Sequence, residues 1–432
     1  MIIGEHLGVN EQGHLTIGGM DTVELVKNYG TPLYVMDETV IRNNCRLFKD
    51  AIGKYYGGNG LPLYASKTFC CKEICRVMKQ EKMGLDVSSG GELMTAIEAG
   101  FPAGDIFFHG NNKTRDELLL AMEYGVGRIV VDNLSELERL EDICIAQNKT
   151  ANIMLRIKPG VEAHTHEFIQ TGQIDSKFGF ALENGEADFA AKTVAKTGNI
   201  NLCGVHCHIG SQIFDAEPFK LAAKIMFGFI ERINKSYGFT ISELNLGGGF
   251  GIKYTQQDNP PAYGDYIRQV SEILHTLCDE IALPMPKIYI EPGRSIAGPA
   301  GITLYTVGAV KEIKDVRNYI LVDGGMNDNI RYALYKAPYT VLVANKANEP
   351  CTYPASIAGR CCESGDLIQE NATLQNCKPG DIVVVLATGA YNYSMSMNYN
   401  RFPRPPVVFV NNGSARIVVK RESYMDLMKN DV

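Results

Sequence analysis

The run Leu61-Pro62-Leu63-Tyr64-Ala65-Ser66-Lys67 decides how the rest of this chain is read. With strand period, Leu63, Ala65 and Lys67 share one face, and a loop starts just beyond. A lysine then stands at the C-terminal lip of a strand among apolar neighbours. Loss of hydration there would leave its amine uncharged and able to attack a carbonyl. Taken alone, a lysine ending a strand is more commonly a solvated surface residue. The sequence on either side is what gives it a task.

Outward from this run the chain alternates. Strand-like runs fall at 61–67, 83–88, 105–109, 128–132, 152–158, 201–208, 242–246 and 287–291, with helical patterns between them such as Thr114–Tyr124, Ser135–Ala146, Phe219–Lys235 and Tyr266–Ile281. Eight strands alternating with helices over roughly 250 residues is the count of a (β/α)8 TIM-like barrel. A doubly wound open sheet would carry a glycine fingerprint after its first strand, and none is present. Beyond about residue 300 the grammar changes to short, β-rich runs separated by turn residues, predicting a mostly antiparallel C-terminal β domain. Before the barrel, a helical pattern (Val40, Ile41, Cys45, Leu47, Phe48) follows a strand-like Pro32–Met36. The reading is a barrel over 38–299 and a β domain over 300–432 that residues 1–37 join.

Composition narrows the class. The 432 residues are 45% hydrophobic and 21% charged with net charge −7, and no basic run offers itself to nucleic acid. The start, Met1-Ile-Ile-Gly-Glu-His-Leu7, lacks the basic region and apolar core of a signal peptide. No apolar stretch reaches the roughly 18 residues that span a bilayer. At this length the 12 cysteines read as reduced thiols. The expectation is a cytoplasmic enzyme with neither nucleic-acid nor membrane partner.

In a barrel of this kind chemistry gathers where strands end. Strand two ends in Asp86-Val-Ser-Ser-Gly-Gly-Glu92, strand three in His109-Gly-Asn-Asn-Lys113, and strand five carries Arg156 and Lys158 on one face. On strand six His206 and His208 share a face, and His208 leads into Ile209-Gly210-Ser211. Zinc at His206, Cys207 and His208 is disfavoured because adjacent strand residues point oppositely. Strand seven ends in Gly247-Gly-Gly-Phe-Gly251 and strand eight in Glu291-Pro-Gly-Arg294. Taken singly these have bland readings: a structural histidine, a tight glycine turn. Together they compose one machine. Lys67 can condense with an aldehyde cofactor while Gly249, Gly293 and Ser211 hold its phosphate and His208 covers its face. Glu291 can then keep a ring nitrogen protonated. That is the chemistry of pyridoxal phosphate, an electron sink for a bond broken at an α-carbon.

Eight motifs in order carry a family resemblance: Tyr64-Ala-Ser-Lys67, Phe108-His-Gly-Asn-Asn-Lys113, Asp175-Ser-Lys-Phe-Gly179, Gly204-Val-His-Cys-His-Ile-Gly-Ser-Gln212, Leu246-Gly-Gly-Gly-Phe-Gly251, Glu291-Pro-Gly-Arg-Ser295, Asp323-Gly-Gly-Met-Asn327 and Cys362-Glu-Ser-Gly-Asp366. They resemble the diaminopimelate decarboxylases, alanine-racemase-like (fold-type III) pyridoxal-phosphate enzymes that make lysine and CO2 from meso-diaminopimelate. The resemblance runs from about residue 30 to about residue 405.

It implies that Lys67 holds the cofactor covalently, and that Asp86, His208, Ser211, Gly249, Glu291, Gly293, Arg294 and Tyr391 seat it. It implies Cys362 as proton donor, and Arg294, Arg331, Tyr335, Glu363 and Tyr391 as substrate contacts. Glu363 would meet the distal amine, and Arg294, Arg331 and Tyr335 the distal carboxylate. A homodimer with shared sites follows, the Cys362 loop coming from the partner. Tyr332 stands where proline is usual. The polar neighbours of Cys362 favour a site loop over the buried thiol that cysteine more often is.

The runner-up is a related decarboxylase acting on carboxynorspermidine, ornithine or arginine. A Schiff-base aldolase would need neither Glu291-Pro-Gly-Arg294 nor a β domain. A catalytically dead regulator would be expected to lose Lys67 or Cys362.

Overall fold

The computed structural model describes residues 4–161 and 175–432. The chain divides into two compact units, Asn44–Gly251 with Pro260–Gly293, and Met1–Asn43 with Ile252–Asn259 and Arg294–Val432.

In the first unit eight parallel strands alternate with helices: β1 (Gly60–Ala65), β2 (Gly84–Val87), β3 (Ile106–Phe108), β4 (Arg128–Val131), β5 (Ala151–Lys158), β6 (Ile200–His206), β7 (Glu243–Asn245) and β8 (Lys287–Ile290). Each pairs with the next, β8 returns to β1, and the sheet closes into a barrel. Runs such as Ile129-Val-Val131 are apolar throughout because a barrel strand is covered on both faces. Inside, Leu63, Phe107, Val130, Met154 and Tyr289 fill one layer. Below it, Arg128 Nε donates to Glu243 Oε2 at 2.8 Å, joining the N-terminal ends of β4 and β7.

Helix boundaries follow local chemistry. Helix Arg115–Tyr124 starts on a capping box, Thr114 with Glu117, and stops at Gly125 in the left-handed conformation. Helix Leu134–Gln147 is capped by Asn133.

The second unit is built on a mixed, mostly antiparallel sheet around the long strand Gly301–Ile313, which pairs with Leu33–Asp37, Arg317–Val322 and Ile382–Leu386. Leu304, Ile320, Ile357, Val383, Val384 and Val408 lie in its core. The strand Leu367–Leu374, antiparallel to Tyr353–Ala358, falls outside the runs that look strand-like in the sequence (302–310, 319–322, 341–344, 352–357, 382–387, 407–410 and 415–419). No described helix is long and apolar enough to cross a membrane. All 12 cysteines are free thiols, as expected.

One buried ion pair ties the barrel wall together. Lys113, 2% exposed, donates to Glu136 Oε1 at 2.7 Å and to the carbonyls of Gly110 and Val130 at 2.8 Å each. Replacing Lys113 with Met strands the Glu136 carboxylate in the interior. That should cost about 3 to 5 kcal/mol, read as a lower urea midpoint. Adding Glu136→Leu should recover most of the loss. A midpoint unmoved by Lys113→Met would contradict this role.

Candidate active site

The loops after the barrel strands bring most of the expected side chains to one mouth. Lys67 is there, with a correction: β1 ends at Ala65, and Ser66–Thr68 is a 3-10 turn that leaves Lys67 exposed, not facing inward with Leu63 and Ala65. The turn is fixed from below, since Thr68 Oγ1 donates to the Ala65 carbonyl at 2.8 Å and to the Tyr64 hydroxyl at 3.1 Å. A second correction concerns β6, which ends at His206. His208 therefore lies beyond the strand, half-buried, its Nδ1 accepting the Gly248 N–H at 3.2 Å. Ser211 is half-buried in the same loop.

Gly249 has φ +118°, and a Cβ there would come 2.7 Å from the Gly210 carbonyl oxygen. At Gly293 a Cβ would lie 2.6 Å from Thr68 and 2.8 Å from Ala65. Both positions accept only glycine without displacement of the walls.

Glu291 is buried at the end of β8. Asn245 Nδ2 donates to its Oε1 at 2.7 Å, His206 Nε2 lies 3.3 Å away, and His109 Nε2 is 3.0 Å from Oε1. Burial alone would raise this carboxyl, but His109 and His206 outweigh it and hold Glu291 well below the usual carboxylate range. Asp86, also buried, goes the other way: desolvation dominates and raises it. Two carboxyls in one layer are thus pushed apart, one a standing anion and one a readier proton holder. Burial drives His206 down to about 4, so at neutral pH it is an uncharged imidazole. His208 is lowered too, first by burial and then by the Lys67 charge. Arg156 lies 3.7 Å from Asp132, its guanidinium 4.2 Å above the Phe178 ring.

The remaining predicted residues belong to the second unit. Arg294 opens the short helix Arg294–Ala297, and its Nη1 donates to the Tyr254 hydroxyl at 2.6 Å. Its guanidinium lies 4.6 Å from the ring of Tyr391, a half-buried residue held at φ 62°. Arg331, 6% exposed, heads the helix Arg331–Tyr335, with the Tyr254 ring at 4.2 Å and the Tyr339 ring at 5.2 Å. Its Nη1 is buried with no hydrogen-bond partner, and no carboxylate pairs with it among the described residues. Tyr335, in the same helix, is half-buried.

Tyr332, the departure from the usual proline, fits that helix and donates its hydroxyl to Glu370 at 2.8 Å. Cys362 and Glu363 are exposed. The loop is braced by buried Asp366, which accepts the N–H groups of Met326 at 2.6 Å and Cys361 at 2.7 Å, while the Cys362 N–H reaches Asn400 Oδ1 at 2.7 Å.

Sequence reasoning assigned no role to His109, Tyr254, Tyr339, Asp366 or Asn400. His109 was legible as a strand-end residue. Tyr254 sits in a loop and Asn400 in the 3-10 turn Tyr399–Arg401, neither with periodic signal.

The residues fit pyridoxal phosphate. An amine, a glycine-lined anion cradle, an imidazole and an ionised carboxylate share one mouth. Two buried polar atoms nearby, Ser66 Oγ and Asp86 Oδ1, have no hydrogen-bond partner among the described residues. Fold and site define a barrel enzyme of the pyridoxal-phosphate class. Residues 38–298 match the family model of the pyridoxal-dependent decarboxylases, pyridoxal binding domain. The chain is 51% identical to the diaminopimelate decarboxylase of Bacillus subtilis (strain 168) over 98% of its own length and 96% of that protein's. It is 44% identical to that of Staphylococcus aureus (strain COL), covering 98% of each. Among solved structures, diaminopimelate decarboxylase from M. jannaschii in complex with L-lysine aligns with TM-score 0.92 at 33% identity, covering 99% of this chain and 98% of that one. The chain belongs to the diaminopimelate decarboxylase family.

Neutral His206 gives the fold a pH dependence. Its folded value is about 4 and the ordinary value 6.5. Between these the unfolded chain binds a proton that the folded chain refuses. Stability is therefore full above pH 6.5 and falls as pH drops toward 4, by on the order of 3 kcal/mol. Urea midpoints across this window should show a slope that His206→Gln flattens. A slope untouched by His206→Gln would place its origin elsewhere.

Proposed function

We propose that this carboxy-lyase removes the α-carboxylate of meso-diaminopimelate to give L-lysine and CO2, with the following division of labour. Lys67 Nζ holds pyridoxal phosphate; Gly249, Gly293, Ser211, Arg294 and Tyr391 seat its phosphate end; His208 covers one face. Bound there, the cofactor supplies the sink for the electron pair left when the carboxylate departs. Glu291, an anion, would keep a proton on the cofactor's ring nitrogen. Asp86 completes the polar wall.

The observation that carries the substrate reading is Arg331. A buried guanidinium with no carboxylate partner among the described residues is costly unless an anion meets it. A carboxylate accepts two parallel N–H bonds from such a fork. The substrate's distal carboxylate is that anion, with Arg294 and Tyr335 beside it and Glu363 taking the distal amine. Ornithine and arginine have no distal carboxylate and would leave Arg331 unpaired. Carboxynorspermidine, the runner-up substrate, is separated by assay.

The Cys362 thiol gives its proton to the α-carbon after CO2 leaves. Cys362 and Glu363 are exposed on the single chain, which supports a homodimer in which each loop serves the partner's site. We place the enzyme in the cytoplasm, where its cysteines stay reduced.

The test is product analysis with purified protein and pyridoxal phosphate, offering meso-diaminopimelate, its LL isomer, carboxynorspermidine, ornithine and arginine separately. Lysine and CO2 from the meso isomer alone is the expected result. Turnover of carboxynorspermidine or ornithine instead would overturn the reading of Arg331 and Glu363. Cys362→Ala should lower kcat far more than cofactor affinity, and unchanged turnover would remove it from the mechanism.

A further inference from the structure

The barrel mouth holds two buried imidazoles, His109 and His206, that the mechanism above does not use. They are 5% and 1% exposed, their ring centres lie 4.7 Å apart at 71°, and both present Nε2 to the Glu291 carboxylate. We infer that His109 and His206 are positioning residues: with Asn245 they fix the Glu291 carboxylate as an anion aimed at the cofactor's ring nitrogen. The inference rests on the reading that Glu291 meets that nitrogen.

An ionised carboxylate only accepts hydrogen bonds, so the His206 contact fixes that ring as the Nε2–H tautomer. Its Nδ1 is then a bare acceptor, and in the structure that atom is buried with no hydrogen-bond partner among the described residues. Asn245 is held in turn by the Gly247 N–H, which donates to its Oδ1 at 3.0 Å and leaves Nδ2 facing Glu291. The two hydrogen bonds thus come from the ends of β6 and β7, and His109 at the end of β3 adds a 3.0 Å contact, so three rigid points on the barrel rim surround the carboxylate.

The kind of donor matters as much as the number. An arginine against Glu291 would hold it ionised and also cancel its charge, removing its demand for a proton on the ligand. Uncharged N–H donors such as those of His206 and Asn245 hold the carboxylate in place and leave its charge to be satisfied by the ring N–H. The other charged groups of this layer lie further off. Arg156 faces Asp132 at 3.7 Å, and Asp86 lies 3.8 Å from His109 Nε2.

The test loads each holoenzyme with 15N-labelled pyridoxal phosphate and reads the ring-nitrogen chemical shift, alongside kcat and KM. Glutamine carries an amide near the position of Nε2; asparagine falls short of it. His206→Asn and His109→Asn should move the shift toward the unprotonated value and lower kcat by about tenfold to a hundredfold, the range for partners that orient a functional group. KM should stay within about twofold, because the distal grip on substrate is untouched. His206→Gln should restore both readouts in large part. Glu291→Gln is the parallel control. If it moves the shift and neither asparagine variant does, the positioning role is overturned and the reading of Glu291 stands. If Glu291→Gln leaves the shift at the wild-type value, both fail.

Discussion

A carboxylate buried at the mouth of the barrel has to stay charged, and the Glu291 contacts show what that requires. Desolvation works against the anion, so N–H donors must meet it at fixed positions. Asn245 at 2.7 Å and His206 at 3.3 Å donate from two strand ends, and His109 Nε2 stands 3.0 Å away at a third. The closed barrel brings three separate strand ends around this one carboxylate. The fold therefore does more than display the site: closure between β4 and β5 helps set the geometry of the groups around Glu291. Burial raises the Asp86 carboxyl in the same layer, so two chemically alike groups acquire different tasks from their surroundings.

The second unit has the opposite problem, a buried cation. Arg331 is covered by the rings of Tyr254 and Tyr339, which offer π-faces in place of a counter-charge. Rings stabilise a guanidinium less than a carboxylate does, and they leave Nη1 of Arg331 without a hydrogen-bond partner among the described residues. Tyr254 also binds Arg294 through its hydroxyl, so one side chain organises two arginines. A substrate with a distal carboxylate gains from this arrangement, whereas a diamine precursor would leave an unpaired charge in place. Discrimination of this kind, by a polar group left without its partner, is stronger than discrimination by size.

Much of this was legible in the chain. Barrel strands are covered on both faces, so they appear as apolar runs at regular intervals, and the eight runs correspond to the eight strands observed. What the sequence hid were features decided by three-dimensional closure. Period-two reading carries Lys67 along the face of Leu63 and Ala65, but Thr68 bonds back to the Ala65 carbonyl and turns the chain after Ala65. The strand Leu367–Leu374 was missed because Glu370, Asn371 and Thr373 interrupt its apolar pattern at partly or fully exposed positions. His109 and His206 are nearly a hundred residues apart, and nothing local announces that both face Glu291. Tyr254 lies in a loop, where aromatic residues carry no periodic signal. Tyr332, which seemed to threaten the shape of its loop, has instead a hydroxyl partner in Glu370.

The central claim is that an ionised Glu291, held by Asn245, His109 and His206, governs the cofactor from the ring-nitrogen side while Lys67 holds it from the other. A crystal structure of the chain with pyridoxal phosphate tests this directly. The expected result is continuous density from Lys67 Nζ to the cofactor, with the ring nitrogen within hydrogen-bond distance of a Glu291 oxygen and Asn245, His109 and His206 still in place around it. A ring nitrogen facing any other group, or a Glu291 carboxylate released from its donors and turned away, would contradict it.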